Sequence, residues 1–395
     1  MKIAILHQHF KTPNSGGAIR SYYLAKALVD QGHDVTVVTG SSEKYRQETI
    51  EGINVHYLPI AYENRFGFLR RVFSFGKYIA GIVRRPSIFK GNDLVYAISV
   101  PLTIGLAAIW IKRKHHIPFI FEVGDLWPDA PIQMGFVKNE VLKKFLFRLE
   151  RKIYREAKSI VALSPAIKSS IEKRVRSKTV HLIPNMADTF FYRPAVKSDE
   201  QLEKFKINEK FVVSYIGAIG LANGLEFFLQ CARTCQDVSL SVRFLICGEG
   251  AMLPRLKKKA ILLSLNNLTF IPFQQREGVK EVMDVSDAIF VCYKPLPVLE
   301  TGSPNKYFDG LAAGKFILIN FGGWIKDEIE SNECGIYINP HSPSEFPTLI
   351  APFLKNESLL KNYQEASRAL AEKSYSRKIL SDIFVAAITA DTHVE

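Results

Sequence analysis

The first strand-like run, Lys2-Ile3-Ala4-Ile5-Leu6, contains no polar residue in alternation. Strands of that kind are buried on both faces, which happens in parallel sheets covered by helices. The loop Pro13-Asn14-Ser15-Gly16-Gly17-Ala18 follows. A helical pattern then runs over 18–31 until Gly32-His33 stops it, and 34–39 is the next strand. This is a βαβ unit. Further apolar strands read at 94–98, 119–123, 159–163 and 180–183, separated by helical patterns, until Pro184-Asn185 closes the set. The pattern restarts at 211–217, a strand ending in glycine, and continues with strands at 242–247, 268–271, 288–292, 316–320 and 335–338. The expectation is α/β: two doubly wound domains, 1–190 and 191–375, facing across a cleft. A last helix, 376–395, would pack back on the first. A chain of 395 residues is longer than one core usually supports, so two domains agree with its length.

Hydrophobic residues make up 47% of the chain and charged residues 23%, as in an ordinary globular protein. No stretch reaches the ~18 uncharged apolar residues of a spanning helix. The N-terminal run is too short and strand-like for a signal peptide, so cytoplasmic residence is expected. Five cysteines (Cys231, Cys235, Cys247, Cys292, Cys334) form no C-x-x-C pair and read as buried reduced thiols. The net charge of +13 implies an anionic partner. No nucleic-acid-binding signature occurs, so a membrane face and phosphorylated substrates stay in view.

The run Gly302-Ser303-Pro304-Asn305-Lys306-Tyr307-Phe308-Asp309-Gly310-Leu311-Ala312-Ala313-Gly314 reads as a capped helix. Ser303 suits the N-cap, Pro304 the first helical position and Gly314 the end. Unpaired N–H groups at a helix start hold phosphate, Lys306 adds a full charge, and Asp309 can accept from a hydroxyl. That set suits a nucleotide diphosphate-sugar. Glycine-rich turns at Gly16-Gly17, Gly217–Gly220, Gly248-Glu249-Gly250 and Gly322-Gly323 sit where parallel sheets place ligands. In Phe121-Glu122-Val123-Gly124-Asp125-Leu126-Trp127-Pro128-Asp129, Glu122 or Asp125 can hold sugar hydroxyls or take a proton. His7 and His9 end the first strand. There is no D-x-D triplet and no P-loop, so neither a carboxylate-held metal nor P-loop chemistry is indicated.

Segment 65–90 carries Arg65, Arg70, Arg71, Lys77, Arg84, Arg85 and Lys90 without one acidic residue, interleaved with ten aromatic and aliphatic residues. A one-signed basic and aromatic helix predicts contact with an anionic membrane surface.

The chain resembles the retaining glycosyltransferases of family 4, which have the GT-B fold of two Rossmann-like domains. The likeness rests on Leu6-His7-Gln8-His9-Phe10, Gly16-Gly17-Ala18-x-Arg20, Leu24-Ala25-x-Ala27-Leu28 and Gly32–Val38 at the start. Asp125-Leu126-Trp127-Pro128 and Ser303-Pro304-Asn305-Lys306-x-x-Asp309-x-Leu311-Ala312-Ala313-Gly314 are similar to motifs of the subgroup that builds O-antigen and capsule sugars, N-acetyl-fucosaminyl transferases among them. Two departures stand out. The family's glutamate pair falls on Thr301, with Glu300 beside it, and on Asp309. The family's basic residue after the Gly217–Gly220 turn is replaced by uncharged Leu221-Ala222-Asn223-Gly224.

The resemblance implies transfer of a sugar from a nucleotide-sugar, expected to be UDP-linked, with retention and without a metal or other cofactor. The acceptor implied is a polyprenyl-diphosphate-linked saccharide at the cytoplasmic face of the membrane; a soluble acceptor stays open. The first domain would bind the acceptor and the second the nucleotide. Lys306, Asp125 and Glu300 are the implied catalytic residues. Gly16, Gly17, Gly217, Gly220, Gly248, Glu249, Arg255, Thr301, Gly302, Ser303, Pro304, Asn305 and Asp309 are the implied donor site, with Arg276 a further candidate for the diphosphate. Two alternatives remain: a nucleotide-sugar epimerase on the same fold, and an inactive transferase-like membrane scaffold.

Overall fold

The computed structural model describes residues 1–13, 19–62 and 66–393, without the side chains of Phe68, Thr392 and His393. The first sheet has eight strands: β1 (Lys2–Leu6), β2 (Asp34–Ser41), β3 (Arg46–Ile50), β4 (Ile53–Pro59), β5 (Leu94–Ile98), β6 (Phe119–Val123), β7 (Ile160–Ala162) and β8 (Val180–Leu182). Their spatial order is β3-β4-β2-β1-β5-β6-β7-β8. All pairs are parallel except β3 with β4.

The hairpin β3–β4 is the one element that the strand pattern does not announce. Its turn puts Glu51 and Gly52 both at positive φ (+47° and +85°), the geometry usually signalled by Asn-Gly or Asp-Gly. Glutamate in the first place hides it.

The second sheet holds β9 (Phe211–Ile216), β10 (Val242–Cys247), β11 (Leu268–Ile271), β12 (Ala288–Val291), β13 (Phe316–Ile319) and β14 (Gly335–Tyr337), in the order β11-β10-β9-β12-β13-β14 and wholly parallel. The strand order reverses at β1/β5 in one sheet and at β9/β12 in the other. Such a reversal opens a crevice at the C-terminal strand ends, where ligands of open α/β sheets bind.

The chain passes between the halves twice. The first passage follows β8 through 183–198, and the second lies near Ser376. The two run side by side: Ala187 N–H donates to Tyr375 O (2.8 Å), Arg377 N–H donates to Ala187 O (3.2 Å), and Ala187 pairs in parallel with Ser376. The last helix, Arg377–His393, then seats Phe384, Ala387 and Ile388 in the first domain's core. Asp391 near its end meets His181 (3.2 Å) and Ser159. All five cysteines are buried free thiols in the second half. Among the described residues no helix is long and apolar enough to cross a membrane.

Candidate active site

Both crevices open into one cleft of about 660 Å³. The first domain contributes His7 after β1, Ser99 after β5, Asp125 after β6 and Asn185 after β8. The second contributes Gly217 after β9, Gly248 and Glu249 after β10, Tyr293 after β12, and Ser303, Pro304, Asn305, Lys306 and Asp309 from the start of the helix Asn305–Ala312.

The helix start differs from expectation. Pro304 precedes the first helical residue, with φ −73° and ψ 128°, and no side chain caps the helix. The Ser303 hydroxyl instead accepts from the Asn185 N–H across the cleft (3.4 Å), while Asn185 Nδ2 donates to Ser303 O (2.5 Å). Among the described residues, the early N–H groups of this helix therefore have no side-chain cap.

The two glycine turns of the second sheet touch. A Cβ on Gly248 would fall 2.0 Å from Gly217 O, and Gly248 also has φ +142°. Only glycine permits this contact. Lys306 lies across the open side of Gly217. Its Nζ donates to the Tyr215 hydroxyl (3.0 Å) and sits 4.5 Å above the Tyr215 ring. The Tyr215 hydroxyl in turn donates to Ala218 O (2.6 Å). Burial lowers the Lys306 pKa to about 8. Burial also raises Asp309 to about 7, and the charge of Asp188 adds to the rise. The site thus holds an ammonium and a carboxyl that both titrate near neutrality. Crowding by the cleft walls raises Asp125 as well, although its side chain is open to cleft water. Burial keeps His7 neutral, at about 4, with Nδ1 bonded to Ser21 Oγ (2.7 Å).

Several expected residues stand elsewhere. Arg255 is 70% exposed and pairs with Glu226 (3.5 Å), outside the cleft lining. Glu300 packs its carboxylate against Gly322 and is not part of the cleft lining. Thr301 Oγ1 donates to Val298 O (2.8 Å), and its carbonyl accepts from Ser164 Oγ (2.6 Å). Gly302 O accepts from Trp324 Nε1 (2.9 Å). The three form a seam between the domains, because Val298 and Leu299 beside them pack on the first core. Gly220 opens a short 3-10 turn, its N–H bonded to Asn223 Oδ1 (3.0 Å). Gly16, Gly17 and Arg65 lie outside the described residues.

Glu122 lines the cleft but is already engaged. Arg20 reaches both of its oxygens (3.0 and 3.2 Å), and the Tyr96 hydroxyl donates at 2.5 Å. The Arg20 guanidinium also donates to the carbonyls of Ile183 and Pro184. This buried set fixes β5, β6 and the end of β8, and it leaves Asp125, rather than Glu122, open to a ligand on this wall. In the motif around it, Trp127 packs on the core and Asp129 pairs with Arg174.

One cluster has no counterpart in the sequence reading. Asp188 accepts from Tyr23 Oη (2.8 Å) and from Arg276, and lies 3.6 Å from Arg377. Arg276 lines the cleft, but its charge is already matched there. A single polar residue in the passage after β8 was the only available signal.

The segment 66–90 forms the helix Phe68–Val83 and a 3-10 turn at Pro86–Phe89. Phe75, Tyr78 and Ile82 join the core, whereas Leu69 (81% exposed), Phe73 (66%), Val72 and Val83 face outward. Arg70, Lys77 and Arg84 are exposed beside them; Arg85 stacks on Tyr45, and Arg71 Nε donates to Phe66 O.

Residues 14–190 match the family model described as Glycosyltransferase Family 4, and residues 197–370 match that of Glycosyl transferases group 1. The chain is a family-4-like glycosyltransferase. An uncharacterized glycosyltransferase of Methanocaldococcus jannaschii is 22% identical over 365 residues, 88% of each chain. This transferase also shares its fold with solved structures. Sucrose-phosphate synthase from Thermosynechococcus elongatus superposes with a TM-score of 0.78 at 14% identity, covering 98% of this chain and 99% of that one. Anabaena HepE in complex with UDP-glucose gives 0.72 at 15% identity, covering 99% and 100%. These likenesses establish the GT-B fold, and the two family matches together span both halves of the cleft.

Proposed function

We propose that this enzyme transfers a sugar, such as an N-acetylated hexosamine, from a UDP-linked donor to a polyprenyl-diphosphate-linked saccharide. The reaction retains the anomeric configuration, needs no metal, and serves O-antigen or capsule synthesis at the inner face of the cell membrane. The observation that carries this reading is the Lys306 ammonium, held over Gly217 at the switch point of the second sheet beside the start of the helix Asn305–Ala312. A fixed cation and aligned N–H groups stabilise the charge that develops on a departing diphosphate. HepE, with the same fold, was solved with UDP-glucose, which supports the choice of donor.

Asp309 holds ribose hydroxyls from the next turn of that helix, and the backbone at Gly217 and Gly248 leaves room for the phosphates. Asp125 orients the acceptor hydroxyl from the opposite wall. The leaving phosphate takes the proton of that hydroxyl as the new bond forms on the same face of the sugar, so no separate strong base is required. The exposed Leu69, Val72 and Phe73 with Arg70 and Lys77 support a Phe68–Val83 helix that rests on anionic lipid, where a lipid-linked acceptor resides.

The test is a thermal-shift screen against UDP, GDP, ADP, CMP and their common sugars, with and without EDTA. A ligand that binds only the folded state raises apparent stability by about 2.7 kcal/mol at a hundredfold excess over Kd. A shift with UDP-sugars that EDTA leaves intact is the expected result. No shift with any nucleotide overturns the reading in favour of the inactive scaffold, and a shift abolished by EDTA overturns metal independence.

A further inference from the structure

The helix Glu140–Glu156 carries a second outward face that the transfer reaction does not use. Val141 (77% exposed) and Phe145 (58%) stand bare on its first turns, and Lys144, Arg148, Arg151, Lys152 and Arg155 follow, all exposed. At about 100° per residue these seven side chains fall within roughly one third of the helix circumference. Ile153, Tyr154 and Glu150 point the other way, into the fold. The acids of this helix are spent elsewhere: Glu140 on Lys143, Glu150 on Arg174, and Glu156 on Lys112 and Arg113. Among the described residues, none of the five cations of the stripe has an ion-pair partner.

Five uncompensated cations along ~17 Å of helix repel one another, and the bare aromatic and valine at their tip cost solvation, unless something anionic and partly apolar covers them. A second copy of this chain is a poor cover, since it carries the same charge of +13. An anionic bilayer surface supplies both chemistries: headgroup phosphates for the cations and acyl chains for the tip. Both this helix and Phe68–Val83 pack against the helix Ile104–His115.

We propose that Glu140–Glu156 is a second membrane foot, with Phe145 and Val141 entering the headgroup layer and the five cations resting on anionic lipid. It rests on the reading that the acceptor is membrane-borne. Two feet held on one common helix restrict the rotation of the first domain on the bilayer, which a single amphipathic helix does not.

The test is flotation of the full chain with vesicles of phosphatidylcholine mixed with phosphatidylglycerol, and with phosphatidylcholine alone. At roughly fivefold per charge, R151Q/K152Q lowers partitioning onto the anionic vesicles about 25-fold. V141S/F145S lowers it as well, and F145W shows an emission blue shift only with those vesicles. Thermal unfolding and nucleotide binding of these variants stay as in the wild type, because none of the substituted residues lines the cleft. If both double variants float like wild type while L69S/F73S does not, the second foot is overturned and the Phe68–Val83 contact stands. If the stripe variants lose affinity for a duplex oligonucleotide and not for vesicles, the face belongs to nucleic acid and the proposal fails. If the wild type never floats, both membrane contacts fall.

Discussion

Lys306 fills the space that a side chain on Gly217 would take: a Cβ there would lie 3.3 Å from Lys306 Cε. The glycine and the lysine are a fitted pair, and the ammonium owes its position to a missing side chain. Removing one preorganised charge that faces a leaving group costs about 10²–10³ in kcat. Lys306→Ala is therefore expected to lose at least that factor in a donor-hydrolysis or transfer assay. Gly217→Ala, which also strains a residue at φ +138°, displaces the lysine and lowers the same rate. Unchanged turnover in Lys306→Ala would sink the site assignment.

The pH dependence of donor binding follows from two groups. The diphosphate favours the protonated form of Lys306, whose pKa in the empty site is about 8, so affinity falls tenfold per unit as pH rises above that value. A ribose hydroxyl favours ionised Asp309, whose empty-site pKa is about 7, so affinity also falls as pH drops through that value. UDP affinity, titrated calorimetrically against pH, should peak between the two, with limbs that belong to the coupled pair. Asp309→Asn removes the acid limb, and Lys306→Arg removes the alkaline one.

Glu122 is a structural acid in this account. Arg20→Met leaves its carboxylate buried and unpaired, a change that costs about 3–5 kcal/mol. The double variant Arg20→Met/Glu122→Gln recovers much of that in urea unfolding. A Glu122→Gln variant with full stability but no acceptor turnover would show that Glu122 binds substrate after all.

The crossing helix is needed by the first domain. Phe384 is fully buried, with its ring edge-on to Tyr96 at 5.0 Å. Phe384→Ala removes a core aromatic, for about 3–5 kcal/mol. Denaturant unfolding followed by a first-domain probe such as Trp110 should show the loss.

Where burial governed the fold, the sequence was readable. Twelve strands are plain apolar runs, and the helices between them follow from period and breakers. The two strands not foreseen, Arg46–Ile50 and Ile53–Pro59, join through a Glu-Gly turn of atypical chemistry, and the first is nearly all polar at a sheet edge. At the site, Lys306, Asp309, Asp125 and the glycine turns at 217 and 248 come together because each lies beyond the C-terminal end of a parallel strand at or beside a point where the strand order reverses. Arg255, Glu300 and Thr301 do not line the cleft, because spacing along the chain cannot tell which side of a turn faces it. Asp188 was invisible for the converse reason: its partners Tyr23, Arg276 and Arg377 come from three distant parts of the chain.

The paired passages at Ala187 and Ser376 act as the spine of a book. Two covalent joints side by side, laced by backbone hydrogen bonds, resist sliding and shear of one half over the other and leave rotation about their common line as the soft motion. Asp188, one residue along, clips both covers to that spine through Tyr23 and Arg276. Opening the covers to admit a donor therefore pulls first at one carboxylate, and the ease of turning the page is set there.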